Sequence, residues 1–560
     1  MNNDASKKRF LSGVSALTLS TVIVKVIGLV YKIPMMHSLG AEGMGYFNSA
    51  YELYTLFFVI ATAGLPVAVS ILISESLAHG RLRNVKKIYR ISFALFFGLG
   101  LVGALVMSLC AGWFAELVGS PDSRLCIALI APTVFFVAVA SAVRGYFQGN
   151  QNMVPTAVSQ VIEALGKLIL GILLAGWAIH AGWSPARAAA LAVLGLVAGS
   201  AISMLYLLIS QSGRRISVGS FDTDLSTDST RRILSKLLIL AVPVTVSASL
   251  SSLTRVVDMT LILRRLADIG FDPAVAAAMF GSYSTLAVPI YHLPSSLIAG
   301  ISVSLVPSLT DAVESGSRER EARLVGVALR LCAFVAMPCA LGMSVFSRPI
   351  LGLLFSGQSE PVELAAPLLS ALGLSVLSSC LMNVTNAVLQ AHRKAAYPIL
   401  SMLAGTVVKV VAAYILIGIP QIGMMGAPLS TLLCNIVAVG MNFAFMEKCN
   451  AFSGSLYAVL IKPLVASSAA MIAALATYLA LATRLSETAA FLLALAVCGV
   501  VYLVSAVKLG ALEAEDMALL PAGDRLARFI EKRNIKNTLY KKKGQSNGKQ
   551  TGNLRSAPKG

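Results

Sequence analysis

The sequence predicts an all-α, polytopic membrane protein of about fourteen transmembrane helices, read as two parallel six-helix repeats followed by two extra helices. Three observations carry that prediction. Apolar runs near the length of a membrane crossing recur along the chain, basic residues alternate between loops, and unusual residues recur at a nearly constant offset.

The apolar runs come first. Of 560 residues, 57% are hydrophobic and 13% charged, against about 25% charged in ordinary soluble domains. A helix needs about 20 apolar residues to cross the hydrocarbon core. Backbone groups in lipid must bond inside their own segment or around a closed barrel. The runs here lack strand-like alternation, so they read as helices. The expected spans are 11–36, 48–76, 88–111, 125–147, 157–181, 186–210, 233–263, 280–309, 324–347, 363–390, 398–419, 425–447, 456–482 and 488–509. The first keeps Lys25 inside it and lacks a small-residue cleavage site, so it is expected to be a span and not a cleaved signal.

Orientation follows from the Lys and Arg residues of short loops. Lys7, Lys8 and Arg9 precede the first span. The even-numbered loops carry Arg81, Arg83, Lys86 and Lys87, then Arg214, Arg215, Arg231 and Arg232, then Arg318, Arg320 and Arg323, then Arg393 and Lys394. The opposite side has only Arg124, Arg187, Arg264, Arg265, Arg348 and Arg484. Both termini are therefore expected in the cytoplasm, with the protein in the cell membrane. That requires an even number of spans, which fourteen satisfies and twelve also would. The same loops and a basic tail past Glu531 account for the net charge of +19. The tail's Gly, Ser, Asn and Gln content predicts disorder. Either it is a solvated segment that reinforces orientation, or it touches anionic membrane lipid at about 1 kcal/mol per basic residue. Nucleic acid is not an expected partner, because aromatic residues do not interleave with these charges. The eight cysteines form no C-x-x-C pair and read as small hydrophobes, so neither a metal site nor a cofactor is expected.

The internal duplication is the third observation. Gly45, Ala63-Gly64 and Glu75 match Gly281, Ala299-Gly300 and Asp311 at an offset of 236. Lys25 and Gly40 match Arg255 and Gly270 at 230, and Arg90 matches Arg330 at 240. Gln148, Ser159 and Lys167 match Gln390, Ser401 and Lys409 at 242. The expected organisation is an N-terminal bundle over 1–210, a cytoplasmic linker over 211–232, a C-terminal bundle over 233–450, two further spans over 451–510, and the tail over 511–560. Each bundle starts from the cytoplasm, so the repeat is parallel. Transporters built this way hold substrate near the midplane between the repeats.

Ionisable residues inside the spans mark the candidate site, since each costs about 2.5–3.5 kcal/mol at the bilayer centre on insertion scales. Lys25 sits in mid-span; Lys32 lies seven residues on, rotated by only about 20°, with Gly28 between them on the same face. Lys32 reads either as part of this basic stripe or as a residue snorkelling to the outer interface. Arg255 holds the equivalent place in the seventh span, with Asp258 at i+3. These two read as an internal ion pair, or as Arg255 facing substrate while Asp258 tunes it or takes up a cation. Glu52 is read as a proton carrier or a partner of Lys25. His292 lies beside Pro289, where a helix break frees backbone groups, and reads as a packing residue or a proton switch. Glu163 and Lys167, at i and i+4, are read as a structural pair first. Lys409, with no equivalent acid, is expected to face a groove. Glu75, Arg90, Asp311 and Arg330 are expected to form gate or orientation contacts near the cytoplasmic ends. Cations deep in both repeats would repel one another unless an anion sat between them, and phosphate suits that place. The membrane potential drives such an anion outward by about 2.3 kcal/mol per charge per 100 mV. The chain has no Walker sequence, catalytic triad or zinc motif, so no enzyme is expected.

These residues carry a resemblance. Lys25-Val-Ile-Gly28-Leu-Val-Tyr31-Lys32-Ile-Pro34, Leu39-Gly40-Ala-Glu42-Gly43-Met44-Gly45 and Ala63-Gly64-Leu65-Pro66 resemble the opening of the stage V sporulation protein B-like flippases. Met279-Phe280-Gly281-Ser282-Tyr283, Pro289, His292-Leu293-Pro294 and Ser304-Leu305-Val306-Pro307 resemble the start of that group's second half. The group is the polysaccharide and lipid II flippase branch of the multidrug/oligosaccharidyl-lipid/polysaccharide exporter superfamily. The resemblance, over about residues 8–450, implies fourteen helices, a V-shaped cavity lined by spans 1, 2, 7 and 8, alternating access, and a cationic cavity for undecaprenyl-pyrophosphate sugars. It places Lys25, Arg255 and Lys32 in that cavity. Many relatives carry Arg where this chain has Lys25 and Lys32, and lysine keeps the charge without the bidentate geometry. The leading expectation is a flippase for lipid II or a lipid-linked oligosaccharide, with cell-wall synthesis enzymes as further partners. The alternatives are a cation-coupled multidrug exporter and a non-transporting scaffold.

Overall fold

The computed structural model describes residues 17, 19–212, 227–451 and 456–511. The basic residues Lys7, Lys8, Arg9, Arg214 and Arg215, most of the expected linker, and the tail past Ala511 lie outside the described residues. The structure is 89% helical, with no strand among the described residues.

In chain order the helices are α1 (19–30), α2 (Lys32–Thr62), α3 (Leu65–Ala78), α4 (Leu82–Leu109), α5 (Ala111–Leu117), α6 (Arg124–Ile130), α7 (Pro132–Gly149), α8 (Val154–His180), α9 (Pro185–Ser212), α10 (Thr230–Asp268), α11 (Pro273–Ser282), α12 (Val288–Glu314), α13 (Arg318–Val345), α14 (Ser347–Leu354), α15 (Ser359–Ala391), α16 (Ala396–Ile417), α17 (Gly426–Lys448), α18 (Leu456–Ala482) and α19 (Glu487–Leu509). Among the described residues, 13 helical runs are long and apolar enough to cross a membrane. The first, Leu19–Ala78, spans 60 residues and covers both of the first two expected spans. The other twelve correspond in order to expected spans three to fourteen. The two counts thus differ only in how that first run is divided. It bends at Gly40, whose φ of 67° is open to glycine and strained for other residues.

Sequence signals set the ends of several helices. Ser229, Asp272 and Ser486 cap α10, α11 and α19, each accepting a backbone N–H from the first turn. Gly510 closes α19 in the left-handed conformation. Large apolar side chains stay exposed along the spans, among them Leu173 of α8, Ile209 of α9 and Val303 of α12. A bundle whose solvent is lipid keeps such faces outward.

The chain forms two compact units. One holds the described residues up to Ile290, with Ile350–Leu369 and Thr406–Ser430; the other holds Tyr291–Pro349, Ser370–Gly405 and the described residues from Thr431 onward. In the first unit, Leu65, Val69, Ile73, Ile88, Phe96, Val143, Phe147, Leu207 and Leu237 form a buried core among α3, α4, α7, α9 and α10. In the second, α18 packs on α19 and α13, and Tyr502 donates its hydroxyl to the Phe334 carbonyl.

Small residues let two helices of the first unit meet backbone to backbone. A Cβ built on Gly45 of α2 would lie 2.0 Å from the Ala277 carbonyl oxygen of α11; one built on Gly281 would lie 2.0 Å from the Ala41 carbonyl oxygen. One turn on, Asn48 donates to Ser284 Oγ at 2.9 Å and to Thr285 Oγ1 at 2.8 Å. Residues 41, 45 and 48 of α2 therefore meet 277, 281 and 284, and the contacting pairs 45–281 and 48–284 are each 236 apart in sequence. The crossing has the small-xxx-small chemistry of close helix contacts in membranes.

Candidate functional site

A helix irregularity beside this crossing creates the first site contact. Between α11 and α12 the chain makes a wide π turn over Tyr283–Ala287. There the Val288 N–H bonds the Tyr283 carbonyl, five residues back. Pro289 is the next residue and has no N–H. The Ser284 carbonyl thus lacks both of the amides within its reach along the helix. Lys32 of α2 supplies the missing donor: its ammonium lies 3.0 Å from Ser284 O. Such turns are frequent at functional sites. Replacing Pro289 with alanine restores a competing amide. Lys32 is then expected to lose a bond of about 1.5–3 kcal/mol and to react faster with an amine-acylating reagent, read by mass spectrometry of the labelled peptide. Unchanged labelling would refute the link.

The remaining intramembrane charges of the first unit pair differently from the sequence expectation. Arg255 of α10 does not pair with Asp258. Its Nε donates to Glu52 Oε2 of α2 at 3.1 Å and its Nη2 to Ser252 Oγ at 3.0 Å. Asp258 instead forms an ion pair with Lys409 of α16, so Lys409 does not face an open groove without an acid. A residue at i+3 on the same helix face loses to one on a neighbouring helix that approaches head-on. Glu163 of α8 likewise does not take Lys167 as its ion-pair partner. It accepts from Arg144 Nη2 of α7 at 3.0 Å, while Arg144 also donates to Ser159 at 2.9 Å and to Ser203 at 3.3 Å.

Lys167 is placed by aromatic rings. Its ammonium lies 4.1 Å from the Tyr51 ring centroid, 4.7 Å from that of Tyr31 and 5.8 Å from that of Phe47. Lys25 is exposed on α1 and has no hydrogen bond or ion pair among the described residues. Gly28, one turn on, has open space where a Cβ would stand. Glu52 therefore serves Arg255, not Lys25.

The other candidates sit elsewhere. His292 is exposed in the second unit, its ring 4.9 Å from that of Tyr291. Glu75 of α3 lies 3.8 Å from Lys236 of α10. In the second unit Asp311 accepts from Arg320 at 2.8 Å, and Arg330 lies partly buried on α13. Arg90, in the first unit, is exposed on α4.

The model of the polysaccharide biosynthesis protein family matches residues 10–313, more than half of the chain. The chain belongs to that family. The MatE family model matches residues 276–415. Lipid II flippase MurJ of Bacillus subtilis (strain 168) is 26% identical over 475 residues, which cover 81% of this chain and 85% of the relative. Stage V sporulation protein B of the same organism is 26% identical over 447 residues, covering 79% and 84%. Among solved structures, lipid II flippase MurJ in an inward closed conformation matches with a TM-score of 0.68 at 16% identity, over 88% of this chain and 98% of that one. An inward-facing multidrug resistance MATE transporter matches at 0.62 and 16% identity, over 78% and 98%. These structures share the fold of the multidrug/oligosaccharidyl-lipid/polysaccharide superfamily.

In this polysaccharide biosynthesis family member the charges are distributed unequally between the two repeats. The cations of the second repeat, Arg255 and Lys409, each hold a carboxylate. In the first, Arg144 holds Glu163, but Lys25, Lys32 and Lys167 have no carboxylate within ion-pair distance among the described residues. A cation–π contact returns about 0.5–2 kcal/mol, less than the insertion cost of about 2.5–3.5 kcal/mol for a charge in mid-membrane. An ion pair cancels charge; a ring or a carbonyl locates an ammonium and leaves its charge in place. Sequence reasoning missed Arg144, Asn48 and the role of Ser284. Arg144 carried a usable signal, being an arginine inside an expected span. Ser284 carried one only through Pro289.

Proposed function

We propose that this protein moves an undecaprenyl-pyrophosphate-linked cell-wall precursor or oligosaccharide from the inner to the outer leaflet of the cell membrane by alternating access. On this reading two six-helix repeats rock against each other, and both termini lie in the cytoplasm. The observation that carries it is the set of lysines in the first repeat, Lys25, Lys32 and Lys167, which stand in or beside the spans without carboxylate partners. A pyrophosphate supplies the missing negative charge, and membrane potential assists its outward passage. That one relative is a lipid II flippase supports the class of cargo.

A cation-coupled drug exporter, the reading that the MatE match favours, needs an acid free to receive a cation. Here Glu52, Asp258 and Glu163 each hold a basic side chain. The test is translocation of labelled undecaprenyl-pyrophosphate sugars by the full chain in liposomes. Lys32→Ala and Lys25→Ala are each expected to slow transport by about tenfold or more, the loss of one charge-assisted contact. Equal rates in the wild type and both variants, or no rate above protein-free liposomes, would overturn the reading.

A further inference from the structure

Basic residues gather at the start of α4 without acids among them. Residues 81–90 hold Arg81, Arg83, Lys86, Lys87 and Arg90 and no Asp or Glu. α4 has 28 residues, about 42 Å at 1.5 Å each, against a hydrocarbon core of about 30 Å. Residues 91–109 are uncharged and fill the core, which leaves the turns with the cations at headgroup depth. Arg83, Lys86, Lys87 and Arg90 are spaced i, i+3, i+4 and i+7, so they share one helix face. Arg83, Lys86 and Arg90 are exposed on it. The same face continues through exposed Ala94, Phe97, Leu101 and Leu105. That adds about 22 Å of apolar surface beyond Arg90, more than the half-core of about 15 Å that one leaflet offers a chain. The Phe97 ring is held edge-on to Phe135 of α7 at 5.0 Å. Cations followed by a fixed apolar wall repeat the order of a lipid's own headgroup and chain. Arg81, which leads into α4, keeps its Nε buried without an acceptor among the described residues, and a phosphate oxygen is an acceptor that such a donor takes.

α13 is the counterpart of α4 in the duplication read from the sequence. Its residues 318–327 hold three arginines and two glutamates. Arg320 donates to Asp311 at 2.8 Å and Arg323 to Glu319 at 3.4 Å. Orientation in the membrane counts Lys and Arg and gives Asp and Glu little weight, so either helix serves it. Attraction to an anionic headgroup depends on the charge that acids leave over. At α4 none is offset in this way: among the described residues no carboxylate lies within ion-pair distance of Lys86, Lys87 or Arg90. We propose that this face of α4 binds one anionic phospholipid, phosphatidylglycerol in class, with its phosphate at Lys86, Lys87 and Arg90 and an acyl chain along Phe97 and Leu101. The site does not depend on the cargo reading; the orientation proposed above puts it in the inner leaflet.

The test uses the full chain in phosphatidylcholine nanodiscs doped with a photoactivatable phosphatidylglycerol, and labelled peptides are read by mass spectrometry. The wild type is expected to label α4 over α13 by about tenfold, since each basic residue left unneutralised near an anionic headgroup is worth about fivefold. Equal labelling overturns the proposal. The variant with Lys86→Gln, Lys87→Gln and Arg90→Gln is expected to lose about tenfold or more of the α4 labelling. The variant with Arg318→Gln, Arg320→Gln and Arg323→Gln removes as many charges and is expected to leave the α4 labelling unchanged. A general attraction to the whole protein would lower it equally in both variants and so overturn the proposal, as would undiminished labelling in the α4 variant. Lys86→Arg with Lys87→Arg keeps the charges and is expected to label as the wild type does. Should the α4 glutamine variant fail to fold, the wild-type ratio of α4 to α13 decides alone. Glycerol 3-phosphate at the lipid's own concentration, having no chain, is expected not to compete; competition would assign the cations to a soluble phosphate and overturn the lipid site.

Discussion

Asp258→Ala is expected to destabilise the protein by about 3–5 kcal/mol, and Lys409→Met by a similar amount, while the double variant regains most of the loss. The side chains of Asp258 and Lys409 are 20% and 15% exposed. Each removal takes from the other charge its ion-pair partner in a low-dielectric interior, which costs far more than the pair itself contributes. The pair also has a position in the duplication. At the offset of 230, Asp258 corresponds to Gly28; at 242, Lys409 corresponds to Lys167. The second repeat therefore neutralises its lysine with an acid where the first repeat has only glycine, and in the first repeat Lys167 rests on aromatic rings instead. Thermal unfolding of the detergent-purified wild type, two single variants and double variant gives the coupling energy directly. Losses that simply add would refute a neutralising pair. Glycine-to-acid substitution at Gly28 is not part of this cycle, since it would alter the site proposed for cargo.

The helical class and the order of spans were legible because both rest on composition. An apolar run of crossing length has few alternatives in lipid, and twelve of the thirteen helical runs correspond in order to single expected spans. The candidate charges were legible for the same reason: Lys25, Lys32, Arg255 and Asp258 are conspicuous against apolar neighbours. Their partners were not. Same-helix spacing suggested Arg255 with Asp258 and Glu163 with Lys167, because those are the contacts a single helix can reveal. The ion pairs that form join α2 to α10, α10 to α16 and α7 to α8. Interhelical geometry depends on crossing angles and on where small residues permit approach, and neither is written as spacing. Pro289 is the intermediate case. The sequence announces that a carbonyl will be freed nearby, but it does not say that the lysine 252 residues earlier in the chain will claim it.

Gly45→Ala is expected to be the most disruptive single-methyl change in the first unit, and Gly281→Ala its near equal. The added carbon would stand 2.0 Å from the Ala277 carbonyl oxygen in one case and 2.0 Å from the Ala41 carbonyl oxygen in the other. Both obstacles are backbone, so no rotamer change relieves the clash, and α2 and α11 must separate. Overpacking of this kind costs about 1–3 kcal/mol and occasionally more. Separation here has a second consequence. Asn48, one turn along the same contact, would lose its bonds to Ser284 and Thr285. The Ser284 carbonyl would withdraw from Lys32 as well, since residue 284 follows 281 by less than one turn. Either variant is therefore expected both to lower the melting temperature and to raise the amine reactivity of Lys32. Gly98→Ala supplies the control. A Cβ there meets nothing within 4 Å, and alanine in a helix interior is favoured over glycine by about 0.8–1.0 kcal/mol. It should leave both readouts unchanged or stabilise the protein slightly. A Gly45→Ala protein that melts with the wild type would mean that α2 and α11 are free to stand apart. The contact of residues 41, 45 and 48 with 277, 281 and 284 would then not fix where Lys32 sits.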